Sequence, residues 1–254
     1  MAYVALRNRL IFRGMRVDHK NLNHGDAIAA FPELRVVFNR IKKAGNSSVT
    51  AFLWDLAAEE RGERAQSIRA AKKTALSPSR ANWQEALIMR DYTYFTVVRN
   101  PYDRALSAFL QKVSRGQEGN DSRKRRFRVV PGWGEPSPEG FAKFVDFLAN
   151  GGLKHDRHWW PQVELLIMPF ERFDVVGRLE TLSDDMARLL EVIGRDPAKA
   201  ETLKRPHPLE AKQPNKITGA TSKRAAYYTP ELAATVRRLY AADFETFGYP
   251  DDCD

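Results

Sequence analysis

The sequence predicts an α/β fold, a parallel β-sheet flanked by helices on both faces, in a single domain over residues 1–254. Three observations carry this. Short β-branched or aromatic runs alternate with segments whose apolar residues recur at helical spacing, the pattern of a parallel sheet covered on both sides. Two of the strand-like runs lead through a small-residue turn directly into a helix. A chain of 254 residues with 43% hydrophobic content can bury one sizeable core. No internal repeat or heptad array competes with this reading.

Taken in order, residues 1–34 form a polar, mixed lead-in with weak periodicity. Residues 36–38 are the first core strand and 49–61 the first helix, with Val49, Phe52, Leu53 and Leu56 on its buried face. Residues 62–82 are charged and Ala-rich, a helix ending in a loop at Ser77-Pro78-Ser79. The aromatic and β-branched run 92–98 is a buried strand. Pro101 then suits a helix start, and Leu106, Phe109, Leu110 and Val113 share one face of that helix. Residues 115–137 hold four Gly and two Pro and read as a surface loop. Ser137-Pro138 opens a helix burying Phe141, Phe144, Val145 and Leu148. A strand follows at 173–176. Ser183 caps a helix carrying Met186, Leu189, Leu190 and Ile193 and stopped by Gly194. Residues 195–225 are mostly loop, and Thr229-Pro230 opens the last helix, with Leu232, Val236, Leu239 and Tyr240 along one face.

The net charge is +9, which favours association with anions without choosing among nucleotides, acidic glycans, nucleic acid or anionic lipid. Cys253 is the sole cysteine, so neither an intrachain disulfide nor a multi-Cys metal site can form. That suits a reducing compartment. Arg7, Arg9, Arg13 and Arg16 interrupt every apolar run near the N-terminus, and no stretch reads as a membrane span. The expected location is cytoplasmic.

Residues 35–50 are the most informative stretch. A β-branched run enters a turn holding Lys42, Lys43, Ala44, Gly45, Asn46, Ser47 and Ser48, and a helix begins there. Free N–H groups at a helix N-terminus, the helix dipole, serine hydroxyls and a lysine together make an anion cradle. The loop is P-loop-like, but it lacks the Gly-Lys-Ser/Thr ending of a Walker A motif. The second strand-to-helix turn, Arg99-Asn100-Pro101, puts Arg99 at the C-terminal end of a strand, where open α/β sheets bind ligands. Ser107 lies two turns into the following helix, within reach of the same anion.

At these residues the chain resembles the carbohydrate sulfotransferase family, in a bacterial-type form of the branch that includes the HNK-1 and chondroitin 4-O-sulfotransferases. Residues 41–48 are similar to the family's 5′-phosphosulfate loop, with Lys42 where Pro is usual. Residues 98–109 look like its 3′-phosphate motif, Arg99 and Ser107 standing eight apart. The segments His158-Trp159-Trp160-Pro161-Gln162, 173–180 and 240–249 also match. The resemblance implies a sulfotransferase fold and 3′-phosphoadenylyl sulfate (PAPS) as donor, with no metal. It implies a saccharide or glycolipid acceptor and no nucleic-acid partner; peripheral membrane association and oligomeric state stay open. Lys43 is the implied stabiliser of the leaving phosphate. Lys42, Ala44, Gly45, Asn46, Ser47 and Ser48 form the rest of the 5′-phosphate loop, and Arg99 and Ser107 bind the 3′-phosphate. Arg suits a phosphate because its planar fork donates two parallel hydrogen bonds; the alternative for Arg99 is a structural pair with Asp103.

Many relatives carry a histidine between the two phosphate motifs, whereas residues 50–99 contain none here. A base must take the acceptor's proton, and imidazole suits neutral pH. His158 is the candidate, with His155, Glu164 and an upstream carboxylate as alternatives. His155 and His158 have no third partner at metal-ligand spacing. The run Arg123-Lys124-Arg125-Arg126-Phe127-Arg128 reads as a solvated loop or as a lip over an acidic saccharide, and Lys223-Arg224 as a segment closing over the nucleotide. Trp83, Trp133, Trp159 and Trp160 are either core or sugar-stacking residues. Two other function classes stay open: a P-loop-type nucleotide-dependent kinase and a non-enzymatic polyanion or nucleic-acid binding protein.

Overall fold

The structure, a computed structural model, describes residues 2–63, 75–115, 126–204 and 218–253. In chain order its main elements are α1 (Ala2–Ile11), β1 (Ile28–Phe31), β2 (Val36–Asn39), α2 (Asn46–Arg61), α3 (Trp83–Ile88), β3 (Thr93–Val98) and α4 (Pro101–Ala108). There follow α5 (Pro138–Ala149), β4 (Val175–Arg178), α6 (Leu182–Val192), α7 (Ala220–Tyr227), α8 (Pro230–Leu239) and α9 (Ala241–Phe247). The chain divides into two compact units: Met1–Val98 with Leu165–Gln213, and Arg99–Glu164 with Pro214–Asp254.

The first unit holds the sheet, in the order β1-β2-β3-β4. β2, β3 and β4 are parallel, while β1 runs antiparallel to β2. The α/β class is as expected, with helices on both sides, but the sheet is mixed rather than all parallel. The extra strand and α1 both fall in the stretch expected to be an unpatterned lead-in. All four residues of β1 are buried, so no alternation marks it in the sequence.

One sheet face carries Ala29, Phe31, Val36, Phe38, Phe95, Val97 and Val175. It packs on Val49, Phe52, Leu53 and Leu56 of α2 and on Met186, Leu189 and Leu190 of α6. Phe38 and Phe95, paired in register, stack with centroids 4.7 Å apart. Burying side chains of this size stabilises by roughly 1.5–3 kcal/mol each. On the opposite face Asn39 is fully buried. Its amide donates to the carbonyls of Ala27 and Leu165, at 3.3 and 3.2 Å, and accepts the Ile167 N–H at 2.9 Å.

α6 differs in its start. Thr181 occupies the N-cap position without a side-chain cap, and the Ser183 hydroxyl donates to the Ala200 carbonyl instead. Residues 197–204, expected as loop, form a 3₁₀ helix that packs on α6.

The second unit is helical. Asn100 caps α4 by accepting the Tyr102 N–H at 2.9 Å, and the helix widens into a π turn at Phe109–Val113. Ser137 caps α5 as expected, with Phe141, Phe144, Val145 and Leu148 buried. α7 lies in the stretch expected to be loop. The last helical segment is two helices, broken at Tyr240.

Candidate functional site

In the first unit, β2 ends at Asn39 and α2 begins at Asn46. The chain between them turns through two left-handed residues, Lys43 at φ 72° and Gly45 at φ 69°. A left-handed lysine is uncommon, and such conformations gather at ligand sites. Gly45 suits the positive φ of this turn, and a Cβ there would press on Leu179 Cδ1 at 3.0 Å. Gly45 is also the N-cap and, having no side chain, places no cap of its own on the first turn of α2. Ser47 and Ser48 fall inside the helix and are half-exposed, as are Lys42 and Lys43, while Ala44 is buried.

Two neighbours distinguish the residues of this loop. The Lys42 ammonium pairs with Asp26 at 3.4 Å, which holds the Asp26 carboxyl below its ordinary range. The Asn46 side chain accepts from Arg40 Nε at 3.0 Å and from the Thr50 hydroxyl at 3.2 Å, so it braces the turn and only its backbone N–H belongs to the cradle. Arg40 is itself buried, and its Nη1 has no hydrogen-bond partner among the described residues. A helix N-terminus behind a left-handed turn, beside a buried guanidinium nitrogen without a partner among the described residues, suits a phosphate group.

The second unit holds the other predicted residues. Arg99 is fixed through its backbone: its N–H donates to Gln162 Oε1 at 3.0 Å, and its carbonyl accepts from Gln162 Nε2 at 2.8 Å. Gln162 is held in turn by Asp243, which accepts the Gln162 and Val163 N–H groups at 2.8 and 3.0 Å. Burial pushes the Asp243 carboxyl up, and Arg104, which donates to the Trp160 carbonyl at 2.7 Å, pulls it back. Ser107 is buried, and its hydroxyl shares a 3.1 Å hydrogen bond with that of Thr218. Asp103 does not need Arg99. Its buried carboxylate takes Arg224 at 3.1 Å through both Nε and Nη2, and the Thr221 hydroxyl at 2.7 Å. Arg224 therefore anchors α7 to α4.

His158 is partly buried. Asp156 Oδ1 makes a short contact with its Nδ1 and accepts its backbone N–H at 2.9 Å, while Asp156 Oδ2 pairs with Arg126 at 3.0 Å. A carboxylate on Nδ1 sets the tautomer, with the proton on that nitrogen and a lone pair on Nε2. Burial opposes ionisation of Asp156, but the His158 hydrogen bond and charge, with Arg126, outweigh it and hold the carboxyl below its ordinary range. The alternatives are placed differently. His155 stacks on Trp159, and Glu164 is paired with Lys154.

Trp159 is core, its indole N–H donating to the Gly152 carbonyl at 3.0 Å; Trp160 lies beside Lys154 and Arg157. Trp133 and Lys223 line an open cavity of about 650 Å³ with Arg115, Thr218 and Tyr227. Arg123, Lys124 and Arg125 lie outside the described residues, as does His207. No group of three His, Cys, Asp or Glu stands ready for a metal ion among the described residues.

The profile of the sulfotransferase family matches residues 26–250, nearly the whole chain. The chain belongs to the sulfotransferase family. It is 29% identical to carbohydrate sulfotransferase 12 of Xenopus laevis over 189 residues, covering 65% of this chain and 42% of that protein. It is 30% identical to carbohydrate sulfotransferase 14 of Mus musculus over 118 residues, 43% of this chain and 31% of that protein. Carbohydrate sulfotransferase 12 of Mus musculus is 28% identical over 184 residues, 64% of this chain and 41% of that protein. The chain thus spans about two-fifths or less of the length of these relatives. No solved structure matches it significantly.

In this member of the family, sequence reasoning missed the residues that hold the predicted ones in place. Gln162 and Asp243 lie in segments that carried the family resemblance, yet nothing local shows that one fixes the backbone of Arg99 and the other fixes Gln162. Asp156 had a signal, an acid two residues before the candidate base. Arg40 had one too, a charged residue at the end of a buried strand.

Proposed function

We propose that this chain transfers a sulfuryl group from PAPS to a hydroxyl of a saccharide or glycolipid acceptor. The observation that carries the reading is the turn from Arg40 to Ser48, a helix N-terminus behind a left-handed lysine, in a chain of this family. When bound, the donor supplies a sulfate joined to a phosphate whose oxygen leaves. The loop N–H groups and the Ser47 and Ser48 hydroxyls hold that phosphate, and Lys43 neutralises the charge developing on its leaving oxygen. Arg99 and Ser107 hold the 3′-phosphate. The acceptor oxygen forms the new bond to sulfur as the old sulfur–oxygen bond breaks, and His158 Nε2 takes the hydroxyl proton. The products are a sulfate ester and adenosine 3′,5′-bisphosphate. Because the transferred group carries less negative charge than a phosphoryl group, the lysine suffices without a metal ion.

The reading extends to residues 1–254 as one sulfotransferase domain, to a cytoplasmic setting supported by the lone Cys253, and to peripheral association with a membrane. No described helix is long and apolar enough to cross one. Thermal stabilisation tests it. Adenosine 3′,5′-bisphosphate is expected to raise the melting temperature, and AMP much less. Stabilisation by ATP with Mg²⁺ instead would point to a kinase, and by oligonucleotide to a polyanion-binding protein. A screen of hydroxylated saccharides and glycolipids with labelled donor then identifies the acceptor.

A further inference from the structure

Helix α1 turns an arginine and an asparagine inward and large apolar side chains outward. Its buried face carries Arg7, 4% exposed, and Asn8, fully buried. The Arg7 guanidinium donates to the carbonyls of Pro78 and Ala81, and Asn8 Nδ2 donates to Asn23 Oδ1 at 2.6 Å and to the Pro78 carbonyl at 3.1 Å. Ile11 shares this buried face, but three large apolar residues of the helix face solvent: Tyr3 is 70% exposed, Leu6 60% and Leu10 55%. They recur at i, i+3 and i+7, so they form one stripe. An ordinary surface helix buries such a stripe and exposes its arginine. α3, which packs against α1, adds three more large apolar side chains in solvent, Trp83, Leu87 and Ile88.

The charge around this stripe has one sign. Arg9, Arg13 and Arg16 are exposed, and none makes a side-chain ion pair among the described residues. Asp18 is the only acid in the first 25 residues, against Arg7, Arg9, Arg13, Arg16 and Lys20. A leucine and aromatic stripe bordered by uncompensated arginines has the chemistry of an interfacial helix: the apolar side chains enter the acyl boundary and the guanidiniums meet lipid phosphate and carboxylate. A neutral protein partner would leave these arginines without counter-charge.

We propose that α1, with the exposed residues of α3, docks this protein on the surface of an anionic phospholipid membrane. The surface gives the peripheral-membrane part of the functional reading a location and a lipid class, and depends on no step of the sulfuryl chemistry.

Co-sedimentation with vesicles of phosphatidylcholine, with and without phosphatidylserine, tests this on the full chain. The parent is expected to bind the phosphatidylserine vesicles and to release as salt is raised. Leu6→Asp with Leu10→Asp should lower the partition coefficient about tenfold or more, a charge being poorly accommodated in the acyl boundary. Arg9→Gln, Arg13→Gln and Arg16→Gln together should erase the preference for phosphatidylserine. Because all five side chains are exposed, the variants should keep the parent's circular dichroism; Leu6→Ser with Leu10→Ser is the milder pair should the aspartates disturb folding. Absence of parent binding to phosphatidylserine vesicles, or equal binding by parent and leucine variants, overturns the proposal. So does a parent dimer that the leucine variants turn into monomers, since a second copy would then cover the stripe. Stabilisation by adenosine 3′,5′-bisphosphate, measured in parallel, reports on the donor reading alone, so failure of either reading is seen separately.

Discussion

Asp156 grips the His158 imidazole at Nδ1 with one carboxylate oxygen and pairs with Arg126 at 3.0 Å through the other. An imidazole held this way keeps its second nitrogen as a proton acceptor in a fixed direction. His158→Ala is therefore expected to keep bisphosphate binding and to lower turnover by roughly 10²–10⁴-fold, the range for a lost general base. Asp156→Asn should lower it by about 10–100-fold, the effect of losing an orienting partner, and should shift the pH profile of kcat as well as its height. Steady-state kinetics with labelled donor measures both. Near-normal turnover in His158→Gln would make His158 structural and move the search for the base elsewhere.

The same carboxylate should be visible in stability against pH. Asp156 is held below its ordinary value of 3.8, with burial opposing and His158 and Arg126 prevailing. A depressed carboxyl binds fewer protons in the folded state, so its stabilisation is present above that value and is lost as pH falls below it, through the lowered folded-state value. The difference in unfolding free energy between the parent and Asp156→Asn, from denaturant titrations, should be level well above pH 3.8 and shrink below it. A difference that grows on acidification would contradict the assignment.

The two lysines of the loop should separate sharply. Lys42 is spent on Asp26 at 3.4 Å, whereas Lys43 is the left-handed residue of the turn. Lys43→Ala should cut turnover about a hundredfold or more, the scale of one preorganised charge stabiliser. Lys42→Ala should cost far less and let the Asp26 carboxyl titrate nearer its ordinary value. If Lys42→Ala proves the more damaging change, the loop is aligned one residue out of register.

Arg99 is fixed by its backbone through Gln162, at the strand-to-helix turn where the 3′-phosphate is proposed to bind. Arg99→Ala should weaken adenosine 3′,5′-bisphosphate by about 2–4 kcal/mol and AMP little, as expected for removing a charged hydrogen-bond donor. Calorimetric titration with both nucleotides decides this. Equal losses for the two would remove the 3′-phosphate from Arg99.

How far the sequence reaches can be seen at particular residues. The turns at Lys43 and Arg99 were legible because a β-branched strand, small residues and a 3.6-residue apolar period meet there within a dozen positions. The cap at Ser137 and its Pro138 were legible for the same local reason. β1 was not, because Ile28-Ala29-Ala30-Phe31 is buried on both sides and shows no alternation. α1 was not, because its buried face mixes Arg7 and Asn8 with Ile11 while Tyr3, Leu6 and Leu10 are exposed, against the pattern by which helices are found. Gln162 and Asp243 act across 63 and 81 residues, and a hydrogen bond at that distance leaves no spacing to read.

Lys43 also tests whether the loop stores strain for function. A left-handed conformation costs a residue with a Cβ roughly 1–2 kcal/mol, and glycine removes that cost while adding about 0.5–1 kcal/mol of unfolded-state entropy. With φ at 72°, Lys43→Gly should therefore stabilise the fold by about 0.5–1 kcal/mol, even as it removes the charge. Turnover should fall at least about a hundredfold, as for alanine. Lys43→Ala keeps the Cβ and the strain, so it should match glycine in turnover but not in stability. Thermal unfolding of the two variants beside the parent reads this directly. A glycine variant no more stable than alanine would mean that the turn is not strained at Lys43. A glycine variant that is more stable and still active would mean that the lysine's charge plays no part in the transfer.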